Sequence, residues 1–236
     1  MPTCSPGRSS FYRRHRLIGG IASASILLIA LAAWLSLSAP DSAPERRSST
    51  ADGKFNPPWI YGRSDARFTI VEYADLACTF CRAYFPVLRH WITEHPDVNW
   101  QWHHFPLSAH ESAGMQAARR VECVGESAGN AAFWDAVAWA YQRTDPSGTG
   151  VLIDTRFPEQ SAAIQACLRS HRPDAIIQTQ IAEAARAEIS ATPTLRLVDQ
   201  RTGQALVLRG PAEGDVLLSA IDWLMAQADV TDPTSK

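Results

Sequence analysis

Cys78 and Cys81 are the residues in this sequence whose type and spacing could do chemistry. They are separated by Thr79-Phe80 and lie where an apolar run, residues 68–73, gives way to a helical pattern. A thiol in the first turn of a helix faces unpaired backbone N–H groups and the positive end of the helix dipole, which lower its pKa. The second cysteine lies one turn away on the same face, close enough to form or resolve a disulfide. The spacing predicts a redox-active pair.

The same two cysteines could instead be half of a zinc site. Such a site needs a second pair of Cys or His residues at ligand spacing. His103 and His104 are adjacent, so their side chains would diverge on a strand. We therefore favour the redox pair and expect no metal and no organic cofactor.

The start of the chain predicts a membrane anchor. Residues 1–16 carry four arginines and no acidic residue, and residues 17–38 are uncharged and largely apolar. At roughly 1.5 Å per residue this second segment is about 33 Å long, enough to span a bilayer. The positive-inside rule keeps residues 1–16 in the cytoplasm and sends the rest outside. The alternative is a cleaved signal peptide, but Pro40 is a poor residue just after a cleavage point.

The remaining chain divides by composition. Residues 39–56 are rich in Ser, Pro and charge and predict a flexible tether, residues 57–227 predict the folded domain, and residues 228–236 predict a C-terminal tail. Residues 55–236 hold 15 basic and 21 acidic residues, so their net charge is −6. A mildly acidic domain gives no support for nucleic-acid binding.

The other cysteines predict a structural disulfide. Cys4 precedes the membrane segment and is expected in the reducing cytoplasm, whereas four cysteines lie in the exported part. An even number in an oxidising compartment favours pairing, and the proximity of Cys78 to Cys81 leaves Cys123 with Cys167. The alternative is that Cys123 and Cys167 are buried free thiols.

The hydrophobic pattern predicts an α/β arrangement in which a helical block interrupts one sheet. The predicted elements are a strand at 67–74, a helix after the cysteines that Pro86 bends, a strand at 98–105, helices from about 111 to 187 with breaks near 145–148 and 172–173, strands at 194–198 and 205–208 joined by a turn, and a helix at about 213–226.

At this point the chain resembles the DsbA-like branch of the thioredoxin-fold thiol-disulfide oxidoreductases. The matching residues are Glu72-Tyr73-Ala74-Asp75, Cys78-Thr79-Phe80-Cys81, Pro86, Phe105-Pro106-Leu107 and Ala191-Thr192-Pro193-Thr194. The resemblance covers about residues 57–227. It implies a thioredoxin-like fold with a helical insertion at about 110–188, here preceded by one N-terminal transmembrane helix.

The resemblance also implies roles for five residues. Cys78 is expected to be the exposed nucleophile and Cys81 the buried resolving thiol. Glu72 is expected beneath the pair as a partly buried proton relay, although it could instead be a strand residue exposed at the sheet edge. Pro193 is expected to be a cis-proline beside the disulfide, with Thr192 presenting backbone groups to an extended substrate.

The implied function is that of a periplasmic thiol-disulfide oxidoreductase, anchored in the inner membrane by residues 17–38, that introduces disulfides into exported proteins. Its partners would be cysteine-containing exported substrates and a membrane redox partner. The chain has no room for the separate dimerisation domain that the related isomerases carry, which is an argument against an isomerase. We expect a monomer.

Two departures from the family pattern keep alternatives to this function open. The dipeptide Thr79-Phe80 lacks the histidine of strongly oxidising relatives, and Thr192 also resembles the isomerase and reductase branches. A reductase or isomerase kept reduced by a membrane electron donor is therefore one alternative. The other is a copper-handling thioredoxin-fold module, although such modules usually place three residues between their cysteines.

Overall fold

The computed structural model describes residues 56–143, 145 and 161–231, without the side chains of residues 110, 111 and 229–231. The described residues belong to the structural unit formed by Asp52–Lys236. The predicted cytoplasmic segment 1–16, membrane segment 17–38, nearly all of the tether 39–56 and the tail beyond Thr231 lie outside them. Among the helices in the described ranges, none is long and apolar enough to cross a bilayer.

A five-stranded sheet in the order β1-β3-β2-β4-β5 forms the centre of the fold. Its strands are β1 (Ile60–Tyr61), β2 (Phe68–Ala74), β3 (Val98–His104), β4 (Thr194–Asp199) and β5 (Ala205–Arg209). β2 pairs with β3 in parallel, and the other pairs are antiparallel. All seven residues of β2 are buried, as expected for a central strand that is covered on both faces.

In the described ranges, six α-helices pack around the sheet. They are α1 (Thr79–Glu94), α2 (Glu111–Ala128), α3 (Asn130–Gln142), α4 (Ala162–Leu168), α5 (Arg172–Arg186) and α6 (Gly214–Thr231), with a short 3-10 turn at Ser108–His110. The mixed α/β thioredoxin-like fold is thus confirmed, and α2 to α5 lie in the connection between β3 and β4.

The two faces of the sheet differ in how much they bury. The face that carries Ile70 and Trp100 joins the main core, which also takes in residues of α1, α2, α3, α4 and α6. The opposite face carries a small cluster around Val71 and Tyr73, against which α5 packs through Ala184. The main core lies beneath the cysteines, and the second face is covered far less.

The start of the folded domain is fastened to the helices as well as to the sheet. Trp59 is 1% exposed, and its Nε1 donates to both carboxylate oxygens of Glu122 in α2, at 3.0 and 2.9 Å. His104 Nε2 lies 3.2 Å from the same carboxylate. The backbone N–H of Ile60 donates to Asn130 at 2.8 Å. Residues on β1, β3, α2 and α3 are therefore tied together by buried or short polar contacts.

Cys123 of α2 and Cys167 of α4 form a disulfide, with their Cα atoms 5.6 Å apart. This is the pairing predicted from the sequence for the two exported cysteines that remain once Cys78 is paired with Cys81. Both residues are buried, so the bond joins two helices of the insertion inside the main core.

Two element predictions need correction. β1 was not predicted, because a strand of two residues is too short to show a period. The last helix continues to Thr231, past residue 227, where the folded domain was predicted to end. The residues between Met225 and Thr231 include no Gly or Pro that would stop a helix.

Candidate active site

Cys78 is the N-cap residue of α1, so its sulfur faces the free N–H groups of the first helical turn. The N–H of Cys81 donates to Cys78 Sγ at 3.4 Å. A hydrogen bond from the Cys81 thiol lowers the pKa of Cys78 to about 6, helped by the Thr192 side chain and the N–H groups of Cys81 and Phe80, against the opposing effect of burial. At neutral pH Cys78 is therefore mainly a thiolate.

Cys81 has the opposite character. It is completely buried, and burial raises its pKa well above the usual value. The hydrogen bond that it makes with Cys78 and the negative charges of Glu72 and Cys78 raise this pKa further. Both cysteines are free, so the structure describes the reduced pair as one thiolate and one thiol.

The expectation of an exposed Cys78 was wrong for the side chain as a whole. Cys78 is only 4% exposed, because the loop before β4 lies against it and the carbonyl oxygen of Thr192 is 3.6 Å from Sγ. The small exposed part of Cys78 beside this loop is the opening through which a substrate sulfur would reach it.

The loop at Thr192 and Pro193 is placed by β4 and β5. The Thr192-Pro193 peptide bond is cis. The carbonyl of Pro193 accepts a hydrogen bond from Gly210 at 3.0 Å, and the Thr194 hydroxyl donates to the carbonyl of Ala191 at 2.8 Å. These bonds hold the loop so that its backbone lines the opening above Cys78.

Glu72 lies in the centre of the sheet, which excludes the alternative of an exposed residue at the sheet edge. It is 1% exposed, on the same face of β2 as Ile70, because alternate residues of a strand share a face. Burial raises the pKa of Glu72 to about 8, the charge of Cys78 raises it too, and Trp100 lowers it. Glu72 is therefore mainly protonated at neutral pH and interacts electrostatically with both cysteines.

Replacing Glu72 with Gln should stabilise the folded protein increasingly as the pH rises. Between pH 4.5 and about 8 the carboxyl has lost its proton in the unfolded chain but keeps it in the folded one, so wild-type stability falls as the pH rises through this window. At pH 7 the gain from the substitution should be on the order of 3 kcal/mol relative to pH 4. Urea unfolding at several pH values measures it.

A matched control is Glu94→Gln, because the Glu94 side chain is 58% exposed. This variant should follow the wild-type pH dependence. A Glu72→Gln variant whose stability parallels the wild type at every pH would show that the folded protein does not hold the Glu72 proton.

Asp75 is a functional residue that the sequence analysis did not single out. Its carboxylate accepts hydrogen bonds from the N–H of Ala77 at 2.8 Å and of Leu107 at 3.1 Å. Its carbonyl accepts from the N–H of Cys78 at 3.0 Å. Asp75 therefore fixes the turn that delivers Cys78 to the helix start. The sequence pattern that could have indicated this role is an aspartate followed, two residues later, by a backbone N–H in a turn. This is the pattern of an Asx turn, formed here by Asp75 and Ala77.

A mainly apolar cleft of about 290 Å³ lies beside the cysteines. Phe80, between the two cysteines, is 69% exposed and forms one wall, and Val87 is also exposed. Pro211 and Ala212, from the loop before α6, form the other wall. An apolar side chain next to a substrate cysteine would fit here.

The two histidines considered as metal ligands lie apart. His103 is on the second face of the sheet, whereas His104 Nδ1 accepts a hydrogen bond from Trp102 in the main core at 3.0 Å. In the part of the chain that the structure describes, no group of three or more Cys, His, Asp or Glu side chains is arranged to hold a metal ion.

The pKa of Cys78 predicts a characteristic alkylation profile. The rate at which iodoacetamide labels the reduced domain at Cys78 should rise with pH through a midpoint near 6, with Cys81 labelled much more slowly because it is a buried thiol. Peptide mapping by mass spectrometry measures both rates. In denaturant the two residues should react alike, and earlier labelling of Cys81 in the folded domain would reverse their roles.

Comparisons with known proteins agree with this fold. A family model described as thioredoxin matches residues 55–208. Pseudomonas aeruginosa DsbA2 is 41% identical in sequence to this chain. The match to its crystal structure covers 72% of this chain and 97% of that chain, with a TM-score of 0.67. Wolbachia pipientis α-DsbA1, 18% identical over 75% of this chain and 94% of its own, superposes with a TM-score of 0.59.

Two further relatives widen the comparison. The catalytic domain of Proteus mirabilis ScsC is 20% identical over 74% of this chain and 94% of its own, with a TM-score of 0.51. The Na(+)/H(+) antiporter NhaA 3 of Salinispora tropica is 26% identical over 72% of this chain but only 25% of its own length. The chain therefore spans about a quarter of that curated relative.

Proposed function

We propose, from the premise that this chain belongs to the DsbA-like branch of the thioredoxin family, that it introduces disulfides into exported proteins. Thiol-disulfide exchange is its activity, and the direction of electron flow is the proposal. The observation that carries it is the position of Cys78 at the N-cap of α1, where the N–H of Cys81 donates to its sulfur and its pKa is lowered. A thiolate favoured in the folded protein stabilises the reduced pair, which makes the disulfide form a better oxidant.

The size of this effect can be estimated from the Cys78 pKa. Because the pKa of Cys78 is lowered from 9.0 to about 6, ionisation of Cys78 stabilises the folded reduced form. This stabilisation is complete above pH 9 and is lost as the pH falls through 6. At pH 7 about 1.4 kcal/mol remains, which corresponds to about 30 mV in reduction potential. We expect a potential between about −270 and −120 mV, above that of thioredoxin and below that of the strongest oxidants.

The reaction begins from the oxidised pair. A substrate thiolate attacks Cys78 Sγ, the bond between Cys78 and Cys81 breaks, and Cys81 leaves as a thiolate that takes up a proton. A second substrate thiolate then attacks the substrate sulfur of the mixed disulfide and releases Cys78 as a thiolate. The substrate loses two electrons and gains a disulfide, and the enzyme gains both electrons. A membrane redox partner must remove them before the next cycle.

Glu72 would supply the proton that Cys81 needs. Glu72 is mainly protonated at neutral pH, because burial raises its pKa to about 8. The pKa of Cys81 lies well above 9.0. When Cys81 becomes a thiolate, it is therefore the stronger base of the two, and transfer of the Glu72 proton moves the negative charge from the buried sulfur to the carboxylate. The reverse transfer would deprotonate Cys81 for attack on a mixed disulfide.

Two surfaces beside Cys78 would hold the substrate segment. The backbone at Thr192 would pair with the extended main chain around the substrate cysteine, since its carbonyl already lies beside Cys78. The cleft between Phe80 and Pro211 would take a neighbouring apolar side chain.

The proposed setting is the periplasmic side of the inner membrane, with residues 17–38 as a single-pass anchor and the domain acting as a monomer. The length and apolar composition of this segment and the arginines before it support the proposal.

Thiol trapping in cells tests the direction and the setting together. Acid quenching followed by alkylation should find the full-length chain in the membrane fraction with Cys78 and Cys81 mostly joined as a disulfide. A pair that is mostly reduced at steady state would instead identify a reductase. A mature protein that starts near residue 40 and is soluble in the periplasm would show that the apolar segment is a cleaved signal.

A further inference from the structure

The sheet face turned away from the main core carries an open cleft that the exchange reaction does not use. A cavity of about 510 Å³ has Arg186 of α5 and Arg196 of β4 among its lining residues. A second cavity of about 280 Å³ shares Gln101, His103 and Glu183 with the first. The two cavities therefore form one elongated cleft between α5 and the sheet, here called the far-face cleft.

Two cations in the far-face cleft have no anion of their own. In the part of the chain that the structure describes, neither Arg186 nor Arg196 forms a hydrogen bond or an ion pair. Arg209 of β5 lies on the same sheet face, in register with Thr194. These arginines form a positive group on a domain whose net charge is negative, so the group is not a consequence of overall composition.

The one acidic side chain in the cleft already faces a proton donor. Burial, with smaller contributions from His104 and Arg196, lowers the pKa of His103 to about 4, so His103 is neutral at pH 7. Its Nε2 lies 2.8 Å from the amide nitrogen of Gln101 and accepts from it, which leaves the ring proton on Nδ1. That atom lies 3.3 Å from the Glu183 carboxylate. In the described part of the chain His103 Nδ1 makes no hydrogen bond, so Glu183 lies near the ring without being held by it. Among the same described residues Glu183 forms no ion pair with either arginine.

We propose that the far-face cleft binds an acidic, extended stretch of the substrate polypeptide, with carboxylates on Arg186 and Arg196. Guanidinium groups bind carboxylates through paired hydrogen bonds. The elongated cleft suits an extended chain, and Gln101 and Gln200 can offer amide oxygens to its main chain. This inference rests on the proposed function, which makes the ligand a polypeptide.

Such a contact would hold a substrate at a second place while its cysteines react with Cys78 on the other side of the sheet. Binding at one place raises the effective concentration of the same chain at the other. Substrates with acidic stretches at a suitable distance from their cysteines would then be oxidised preferentially.

A fluorescein-labelled hexapeptide that alternates Glu with Ala and lacks cysteine tests the inference by fluorescence anisotropy, with the full-length chain in a non-ionic detergent. We expect saturable binding that weakens as salt is added. Arg186→Gln and Arg196→Gln should each weaken it about tenfold. Arg169→Gln, an equal charge change at an exposed position on α4's C-terminal cap, should not.

Three results would overturn the inference. They are equal binding of a peptide with Gln in place of Glu, wild-type affinity in the Arg186→Gln/Arg196→Gln double variant, and an equal loss in Arg169→Gln. If a dithiol peptide is oxidised but the acidic peptide does not bind, the inference fails and the proposed function stands. Binding without any disulfide exchange would remove the proposed function and the identification of the ligand as substrate.

Discussion

Replacing Cys78 with Ser should lower the rate of disulfide exchange by at least about 10³-fold, the scale of loss when a catalytic nucleophile is removed. The physical reason is that a hydroxyl neither forms a disulfide nor ionises near neutral pH, whereas the Cys78 thiol has a pKa of about 6. The rate at which a fluorescent dithiol peptide is oxidised measures the effect. Residual activity near the wild-type level would place the reactive sulfur elsewhere.

The matched control is Cys81→Ala. This variant keeps the Cys78 sulfur at the helix start, with a pKa higher than in the wild type because the hydrogen bond from the Cys81 thiol is lost. It also lacks the internal thiol that resolves mixed disulfides. It should therefore accumulate as covalent adducts with substrates, visible on non-reducing gels and released by reductant. Cys78→Ser should give no adducts.

Replacing both Cys123 and Cys167 with Ala should lower the free energy of unfolding by about 4 kcal/mol in the chain-entropy model. The disulfide closes a sequence separation of 44 residues, and its loss frees that loop in the unfolded chain. Urea unfolding, with Cys78→Ser in both proteins to remove the other redox pair, measures the difference.

Reductant provides the internal control for this experiment. It should destabilise the protein that retains Cys123 and Cys167 and leave the double-alanine variant unchanged. Equal stability of the two proteins without reductant would show that the bond contributes nothing. In a separate double-alanine variant that retains Cys78, exchange activity should survive, because the bond joins two helices of the insertion and not the strands that carry the site.

The sequence was sufficient to predict the elements that carry a long hydrophobic period. Four strands and the helix after the cysteines were predicted close to their observed positions, because each repeats its apolar residues several times. β1 has two residues and could not be found in this way. The family resemblance indicated Glu72 beneath the cysteines but left an exposed position at the sheet edge open, and only the strand order and burial showed that it is central and buried.

Contacts between residues distant in the chain could not be predicted. Asp75 accepts from Leu107, 32 residues away, and Trp59 donates to Glu122, 63 residues away. Neither pair has a local pattern, because the first depends on how the ends of β2 and β3 lie together and the second on how the residue before β1 meets α2. The burial of Cys78 had the same origin, since the covering residue, Thr192, is 114 positions further along the chain.

The attachment of Trp59 has a mechanical consequence. A force that enters the domain at residue 59 would first meet the hydrogen bonds from Trp59 to Glu122 and from Ile60 to Asn130. These contacts pass the load into α2 and α3, and the Cys123 to Cys167 bond joins α2 to α4. The N–H of Trp102 in β3 also donates to the carbonyl of Trp59, so part of the load enters the sheet. The helical insertion and β3 would therefore share the load, and pulling at the start of the domain would not act on the turn before Cys78 alone.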